Sequence, residues 1–328
     1  MQIRQRRRHY RRSLPLPLKI IANQTEDSLD YRFIKEICDK HGAHCTENEP
    51  LAPYTSFKIG GPCPIMAKPN GAGCLSELIK ALNSKKAPFR VMGRGSNLLI
   101  SDKGTDVPVI LISSDMGGIS FDGEQIVCGA GTALTAVCNA ALDRSLTGME
   151  FAYGIPGSAG GALYMNAGAY GGEMKDVVQS CTYIDEVGDL HTLPASRMDL
   201  SYRHSFFSGK PFIITEITLS LRQGDKEQIQ AKMHDLMQKR RDKQPLDYPS
   251  AGSTFKRPEG DFAGRLIEAA GLRGFTVGGA AVSEKHCGFV INKGNATFGD
   301  VKNLIDIIKQ KVKETSGKDL SCEVIIWE

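Results

Sequence analysis

The 328-residue chain has no run approaching the roughly 18 consecutive apolar residues that a membrane-spanning helix needs. Its longest apolar stretch, around Val107 to Ile112, has the length of a strand, so a soluble protein without a membrane partner is expected. The nine cysteines are odd in number, never spaced C-x-x-C, and several sit inside apolar runs. That pattern excludes a disulfide framework and predicts reduced, mostly buried thiols. His41, His44, His191, His204, His234 and His286 show no metal-ligand spacing, and no metal is expected. Neither Ser158 nor Ser253 lies in G-x-S-x-G, which removes the usual signature of a nucleophilic serine.

Acidic residues are absent from the first 24 positions, which carry Arg4, Arg6, Arg7, Arg8, Arg11, Arg12 and Lys19. Without those seven, 34 basic residues face 37 acidic ones, a net charge of −3 in place of +4. The body therefore lacks the electrostatic footprint of a nucleic-acid binder. Pro15, Pro17 and Lys19 interrupt the only apolar stretch there, so it does not read as a signal peptide. Residues 1–24 are expected to be a disordered extension; an RNA-binding arm and a targeting segment are the other readings.

Glycine, by contrast, is in excess: 35 residues, above the usual share of about 7%, with no collagen-like period. Around it the chain alternates between helical and strand patterns. Leu75, Leu78, Ile79 and Leu82 recur at helical spacing, as do Leu134, Val137, Cys138 and Ala141, and Val301, Leu304, Ile305, Ile308 and Val312. Strand-like runs lie at 89–92, 107–113, 125–130, 181–187, 211–221, 287–292 and 322–327. The fold class is α+β, with hairpin-like spacing in the middle. A long β run ends in RQGD (222–225) before a helical stripe of Ile229, Met233 and Leu236. The expected division is 25–222 and 223–328.

Two glycine segments carry the first functional signal. GRGSNLLIS (93–101) follows a strand, and Gly93 and Gly95 permit close backbone approach while Ser96 and Asn97 offer donors to phosphate oxygens. It has no third glycine opening a helix and no following G-K-[ST], so it is neither a Rossmann fingerprint nor a P-loop. Alone it also reads as an ordinary turn. GIPGSAGGALYMNAGAYGGEM (154–174) holds seven glycines, a large backbone-entropy cost that is explicable if its amides wrap a flat or phosphorylated ligand. With GAGTAL (129–134), these elements suffice to cradle a dinucleotide flavin.

Three further segments offer one reactive group each. Arg203 in LSYRHSFF is a fixed cation suited to a carboxylate or carbonyl, or to a surface ion pair. Ser253 in PSAGSTFKRP is either a positioned proton donor or a turn and cap residue. Glu323 interrupts an apolar strand in LSCEVIIW, where a carboxylate must be paired or functional. His286, before CGFVIN, is a polar contact or a strand-end histidine.

Taken in order, YTSFKIGG (54–61), GRGSNLLIS, GIPGSAGGALYMNAGAYGGE, YRHSFF (202–207), AGSTFKRP (251–258), HCGFVIN with KGNAT (286–297) and CEV (322–324) resemble the UDP-N-acetylenolpyruvoylglucosamine reductases, flavoenzymes of bacterial peptidoglycan precursor synthesis. The resemblance runs from about residue 30 to the end. It implies an FAD-binding module of the vanillyl-alcohol-oxidase or p-cresol-methylhydroxylase type followed by a smaller α+β substrate domain. It assigns Gly93, Gly95, Ser96 and Asn97 to the FAD pyrophosphate side, and Gly157, Ser158, Gly160, Gly161, Asn166 and Gly168 to the rest of the cofactor. NADPH is the implied reductant and a UDP-sugar enolpyruvyl ether the implied substrate, in a bacterial cytoplasm, with no obligate protein partner evident. Arg203 and Glu323 match the pair that holds the substrate carboxylate, and Ser253 matches the proton donor. Lys256 stands beside Ser253 as an assisting group, while Arg240, Lys243 and Arg257, with His286, are matched to the UDP contacts. No tyrosine lies between Arg203 and Asp247, so the chain resembles the shorter class that lacks a tyrosine-bearing lid. Two rivals remain: a flavin oxidase of the same fold, and a UDP-sugar or flavin binder without turnover.

Overall fold

The computed structural model describes residues 30–328, of which Tyr31–Glu328 form one unit; the arginine-rich residues 1–24 lie outside the described part. Among the described residues no helix is long and apolar enough to cross a membrane.

The first part of the chain builds two sheets. A four-stranded mixed sheet is ordered His44–Pro50, Pro62–Lys68, Val109–Leu111, Arg90–Met92. Its first pair is antiparallel and the others are parallel. The crossover from Pro62–Lys68 to Arg90–Met92 is the helix Ala72–Ser84, whose 3.6-residue apolar spacing buries Cys74, Leu75, Leu78, Ile79 and Leu82 on one face. A five-stranded antiparallel sheet follows, ordered Leu190–Pro194, Val178–Ile184, Ile213–Ser220, Gln125–Gly129, Ile119–Asp122. The β-branched run Ile213–Ser220 suits its central place, with Ile217 and Leu219 pointing into the core. Helices Arg32–His41, Leu134–Asp143 and Lys226–Lys243 close the same core, the last through Ile229 and Met233. Leu236, expected on that stripe, is only half-buried, and Arg240 is buried on this helix instead.

The last part forms a four-stranded antiparallel sheet, ordered Ser250–Ser253, Phe289–Asn292, Ala280–Val282, Thr276–Val277. Helix Phe298–Ser316 packs against it, opened by a Thr297/Asp300 capping box and closed by Gly317 in the left-handed conformation. Its buried stripe is Val301, Leu304, Ile305, Ile308 and Val312. Truncating Leu304, which is fully buried, is expected to cost about 2–5 kcal/mol of stability, read as a fall in the denaturant midpoint at unchanged slope.

The two parts share more than a linker. Phe57, Ile59 and Leu99 from the first contribute to the core of the second, and Asn292 Nδ2 donates to the Phe57 carbonyl at 3.0 Å. The chain then returns: Ile325–Trp327 pairs in parallel with Leu98–Ile100, the strand that leaves the first glycine loop. This strand begins at Ile325, so Glu323 precedes it instead of interrupting it as the apolar pattern suggested. The reason is local. Residues 321–323 bond to the segment after Ser253, with Lys256 N donating to Ser321 O and Glu323 N to Thr254 O.

All nine cysteines are free, and seven of them are buried.

Candidate active site

The first glycine loop joins strand Arg90–Met92 to strand Leu98–Ile100. Among the described residues, the backbone N–H groups of 93–97 have no protein acceptor, while the Gly95 carbonyl accepts from Ser56 N and the Asn97 carbonyl from Ile325 N. A row of unpaired amides on a turn is an anion-binding concavity. Beside it, the Ser56 hydroxyl is buried without a partner. Glycine is required at 95: φ is +59°, and a Cβ would stand 2.2 Å from the Tyr54 carbonyl oxygen. The second loop comes close from the other side, since a Cβ on Gly93 would meet Ser158 Oγ at 2.8 Å and one on Gly157 would meet Ser96 Oγ at 3.8 Å. These features fit the phosphates of a dinucleotide.

The second loop itself is less open than its glycine content suggested. Gly157 N donates to Ile155 O, Ala159 N to Thr132 O, Gly160 N to Ala130 O and Gly161 N to Ser158 Oγ, so most of its amides are spent on protein acceptors. Its glycines serve close packing: a Cβ on Gly160 would meet that of Ala130 at 2.7 Å, and one on Gly172 would enter the Phe151 ring. Asn166 is likewise engaged. Held at φ +41°, it donates to Glu173 Oε2 at 2.8 Å and to the Ser201 carbonyl at 3.0 Å, and accepts from Lys175 N. It thereby fixes the start of the turn that presents Arg203. Gly168 begins a two-residue hairpin whose tip is Tyr170 and Gly171, both at positive φ.

A cavity of about 660 Å³ opens between these elements and the last sheet. It is lined by Gly168 through Glu173, by Arg203, Ser253 and Glu323, and by Arg257 and His286. Three segments far apart in sequence thus converge. Arg203 reaches it from the Ser201–His204 turn, in the left-handed conformation at φ +53°, a strain that non-glycine residues rarely carry. Ser253 ends its strand after Gly252 (φ +74°), and its hydroxyl has no protein partner among the described residues. Glu323 is brought alongside by the bonds between 254–256 and 321–323, and by Asn97, whose Nδ2 donates to the Glu323 carbonyl at 3.0 Å. The glycine loop and the segment that carries Glu323 are therefore one connected structure.

Arg203 Nε donates to Glu323 Oε1 at 2.5 Å. The Glu323 side chain is 11% exposed and that of Arg203 20%. Burial pushes the Glu323 pKa up, and the charges of Arg203 and Lys256 oppose that rise without cancelling it. The carboxyl thus holds its proton to higher pH than an exposed glutamate would. Burial lowers the His286 pKa, favouring the neutral ring, and its Nδ1 accepts from Gly288 N at 3.0 Å. Gly264 and Gly288 leave room for its ring.

The other residues matched to UDP contacts are spread more widely. Arg257 lines the cavity and lies over the Phe262 ring. Lys256 is near enough for its charge to act on Glu323, and Lys243 is exposed; both are outside the cavity lining. Arg240 is buried against Gly154, bonded to Gln244 at 3.3 Å with no carboxylate partner among the described residues, its guanidinium 5.9 Å from the centre of the Tyr170 ring. Tyr170, Tyr202, Phe262 and Arg273 also line the cavity and were not singled out from sequence. Tyr170, an aromatic between glycines inside the richest glycine segment, carried a usable signal; Phe262 and Arg273 sit in ordinary polar context. Among the described residues no group of three His, Cys, Asp or Glu side chains is arranged to hold a metal.

Gly95→Ala is expected to weaken FAD binding roughly ten-fold or more through the left-handed backbone and the Tyr54 contact, measured as flavin retained on purification.

Comparison with known proteins agrees with this geometry. Residues 64–194 match an FAD-binding domain model, and 244–327 the model of the UDP-N-acetylenolpyruvoylglucosamine reductase C-terminal domain. The chain is 50% identical over 279 residues to the enzyme of that name from Caldanaerobacter subterraneus, covering 85% of this chain and 92% of the relative. It is 47% identical to that of Lachnoclostridium phytofermentans, covering 89% and 94%. The solved UDP-N-acetylenolpyruvylglucosamine reductase of Thermus caldophilus aligns with a TM-score of 0.73 at 33% identity, over 87% of this chain and 99% of that one. An amide-lined glycine loop tied to a buried, cation-paired glutamate, and relatives of this identity along most of the chain, lead to one conclusion: the protein belongs to the UDP-N-acetylenolpyruvoylglucosamine reductase family and is an FAD-dependent oxidoreductase.

Proposed function

We propose that the protein reduces the enolpyruvyl ether of UDP-N-acetylglucosamine to the lactyl ether, with NADPH as electron source, and that residues about 25–222 hold FAD while about 223–328 bind substrate. FAD, when bound, supplies the hydride that NADPH has given it. The observation that carries the reading is the convergence of a serine hydroxyl, partnerless among the described residues, on a paired Arg–Glu in a cavity that the end of the second glycine segment, 168–172, also lines.

Each group answers a need of the reaction. Hydride addition to the methylene carbon moves electron density onto the α-carbon and its carboxylate, so charge grows where Arg203 can neutralise it. Glu323 faces that same carboxylate, and two carboxylates beside one guanidinium share a proton in preference to both ionising. In its protonated form Glu323 donates a hydrogen bond that strengthens as the enolate forms. The Ser253 hydroxyl gives its proton to the α-carbon. A serine is too weak an acid to titrate near neutral pH, but an enolate is basic enough to take that proton when the hydroxyl is held at the carbon. Lys256 adds positive potential at Glu323. The diphosphate falls to Arg257, and to Arg240, whose burial without an anion leaves it a cation short of a partner.

The test is the product formed with NADPH in D₂O. Enzyme, NADPH and UDP-N-acetylenolpyruvoylglucosamine should give UDP-N-acetylmuramate with one deuterium at the lactyl α-carbon, and with up to one more in the methyl group to the extent that the N–H of reduced flavin exchanges with solvent before it delivers hydride. Unchanged substrate alongside NADPH consumption and peroxide release would replace the reductase with an oxidase.

A further inference from the structure

Among the described residues Phe262 is the most exposed large hydrophobic side chain, at 59%, yet it is not loose surface: it lines the cavity that holds Arg203, Ser253 and Glu323. An aromatic ring left in water at a cavity wall forfeits burial worth recovering when a ligand arrives. Its backbone is anchored. Phe262 N donates to Asp261 Oδ1 at 2.7 Å, and Asp261 is itself clamped by Arg265 and by Lys318, which hold its carboxyl below the usual carboxylate range. The ring is therefore presented from a fixed point. Over it, at 4.7 Å from its centre, lies the guanidinium of Arg257, which has no carboxylate partner among the described residues, whereas Arg265 and Arg273 are paired with Asp261 and Glu268. An unpaired guanidinium adjoining an exposed ring offers an anion contact and a π-face together, which is the chemistry of a nucleotide and not of a bare sugar acid.

Resting on the proposed UDP-sugar reaction, we propose that Phe262 is the stacking platform for the uracil ring, with Arg257 beside it on the diphosphate, so that this pair sets nucleotide recognition in the cavity that also holds the reacting groups. The reacting groups occupy the Arg203, Ser253 and Glu323 wall, and a substrate whose enolpyruvyl group lies there must carry its base elsewhere along the same lining. No lid tyrosine from the 204–246 connection is available for that role.

Phe262→Ala, Phe262→Tyr and Arg257→Met are compared with the wild type, each with its flavin bound, for binding of UDP and of inorganic pyrophosphate by calorimetry and for the rate of flavin reduction by NADPH. The expected result is UDP affinity lowered about 5- to 100-fold in Phe262→Ala, the range lost when base–aromatic stacking is truncated, with pyrophosphate affinity and NADPH reduction unchanged. Phe262→Tyr keeps UDP affinity within about two-fold of the wild type, since the π-face remains. Arg257→Met weakens UDP and pyrophosphate together. Unchanged UDP affinity in Phe262→Ala overturns the platform, as does an equal loss for pyrophosphate or a loss confined to NADPH. Wild-type protein that binds no UDP, and whose reduced flavin the UDP-enolpyruvoyl sugar does not reoxidise, overturns the underlying reaction and the platform with it.

Discussion

Replacing Ser253 by alanine is expected to leave bleaching of the flavin band by NADPH within about two-fold of the wild type, and to slow its recovery with UDP-N-acetylenolpyruvoylglucosamine by about 10²- to 10⁴-fold, the usual contribution of a positioned proton donor. The split follows from where the hydroxyl stands. The Ser253 hydroxyl makes no protein hydrogen bond among the described residues, and its strand is held by backbone pairing with Phe289–Asn292, so removal changes the chemistry without disturbing the fold. Hydride delivery to flavin involves no enolate and needs no serine. Ser253→Cys, with a more acidic proton on a larger atom, should restore part of the recovery. Equal slowing of both phases would instead make Ser253 a structural residue.

The second large effect is expected at Arg203. Arg203→Met should lower kcat for the second half-reaction by about 10²–10³, the scale for losing one preorganised charge contact in the transition state. Arg203→Lys should recover little, because an ammonium lacks the guanidinium fork and would have to reach Glu323 from a turn fixed by Asn166. Removing the cation also lets burial push Glu323 further up, toward a permanently neutral carboxyl. The two substitutions are therefore coupled. Arg203→Met with Glu323→Gln should cost much less than the sum of the separate effects.

The same pair gives the pH dependence a sign. The folded-state pKa of Glu323 is raised, so its proton is held below that pKa and lost as pH rises through it. The hydrogen bond to the substrate carboxylate goes with it, and the stability contributed by the neutral buried carboxyl falls in the same direction. The rate of the second half-reaction should accordingly fall on the alkaline side, and Glu323→Gln, which keeps a donor without a titrating proton, should flatten that limb. Burial lowers the His286 pKa, so any acid limb it contributes lies below that of an exposed histidine.

Much of this site was legible in the sequence because its parts break local rules. A glycine pair between two strands, a carboxylate among apolar residues and a seven-glycine segment each conflict with ordinary packing, and conflicts of that kind concentrate at functional sites. The helical stripes at 75–82, 134–141 and 301–312 were equally plain, because each is a full apolar face. Other features were not legible. Strand His44–Pro50 is polar, and Pro62–Lys68 carries two prolines, so neither reads as sheet; their pairing is tertiary. Periodicity extends the strand around Glu323 too far, because it cannot register that residues 321–323 bond to the Ser253 loop before the chain enters the Leu98–Ile100 ladder. The glycine content of 154–174 points to a ligand, whereas several of these glycines let Ala130 and Phe151 pack against backbone. Glycine content alone does not distinguish close approach by a ligand from close approach by the protein itself.

The most direct test is a two-step anaerobic stopped-flow experiment on the flavin-loaded protein. NADPH should bleach the band near 450 nm, and subsequent addition of UDP-N-acetylenolpyruvoylglucosamine should restore it, with the restoring phase alone lost in Ser253→Ala. A flavin that NADPH bleaches but only oxygen restores would contradict the account.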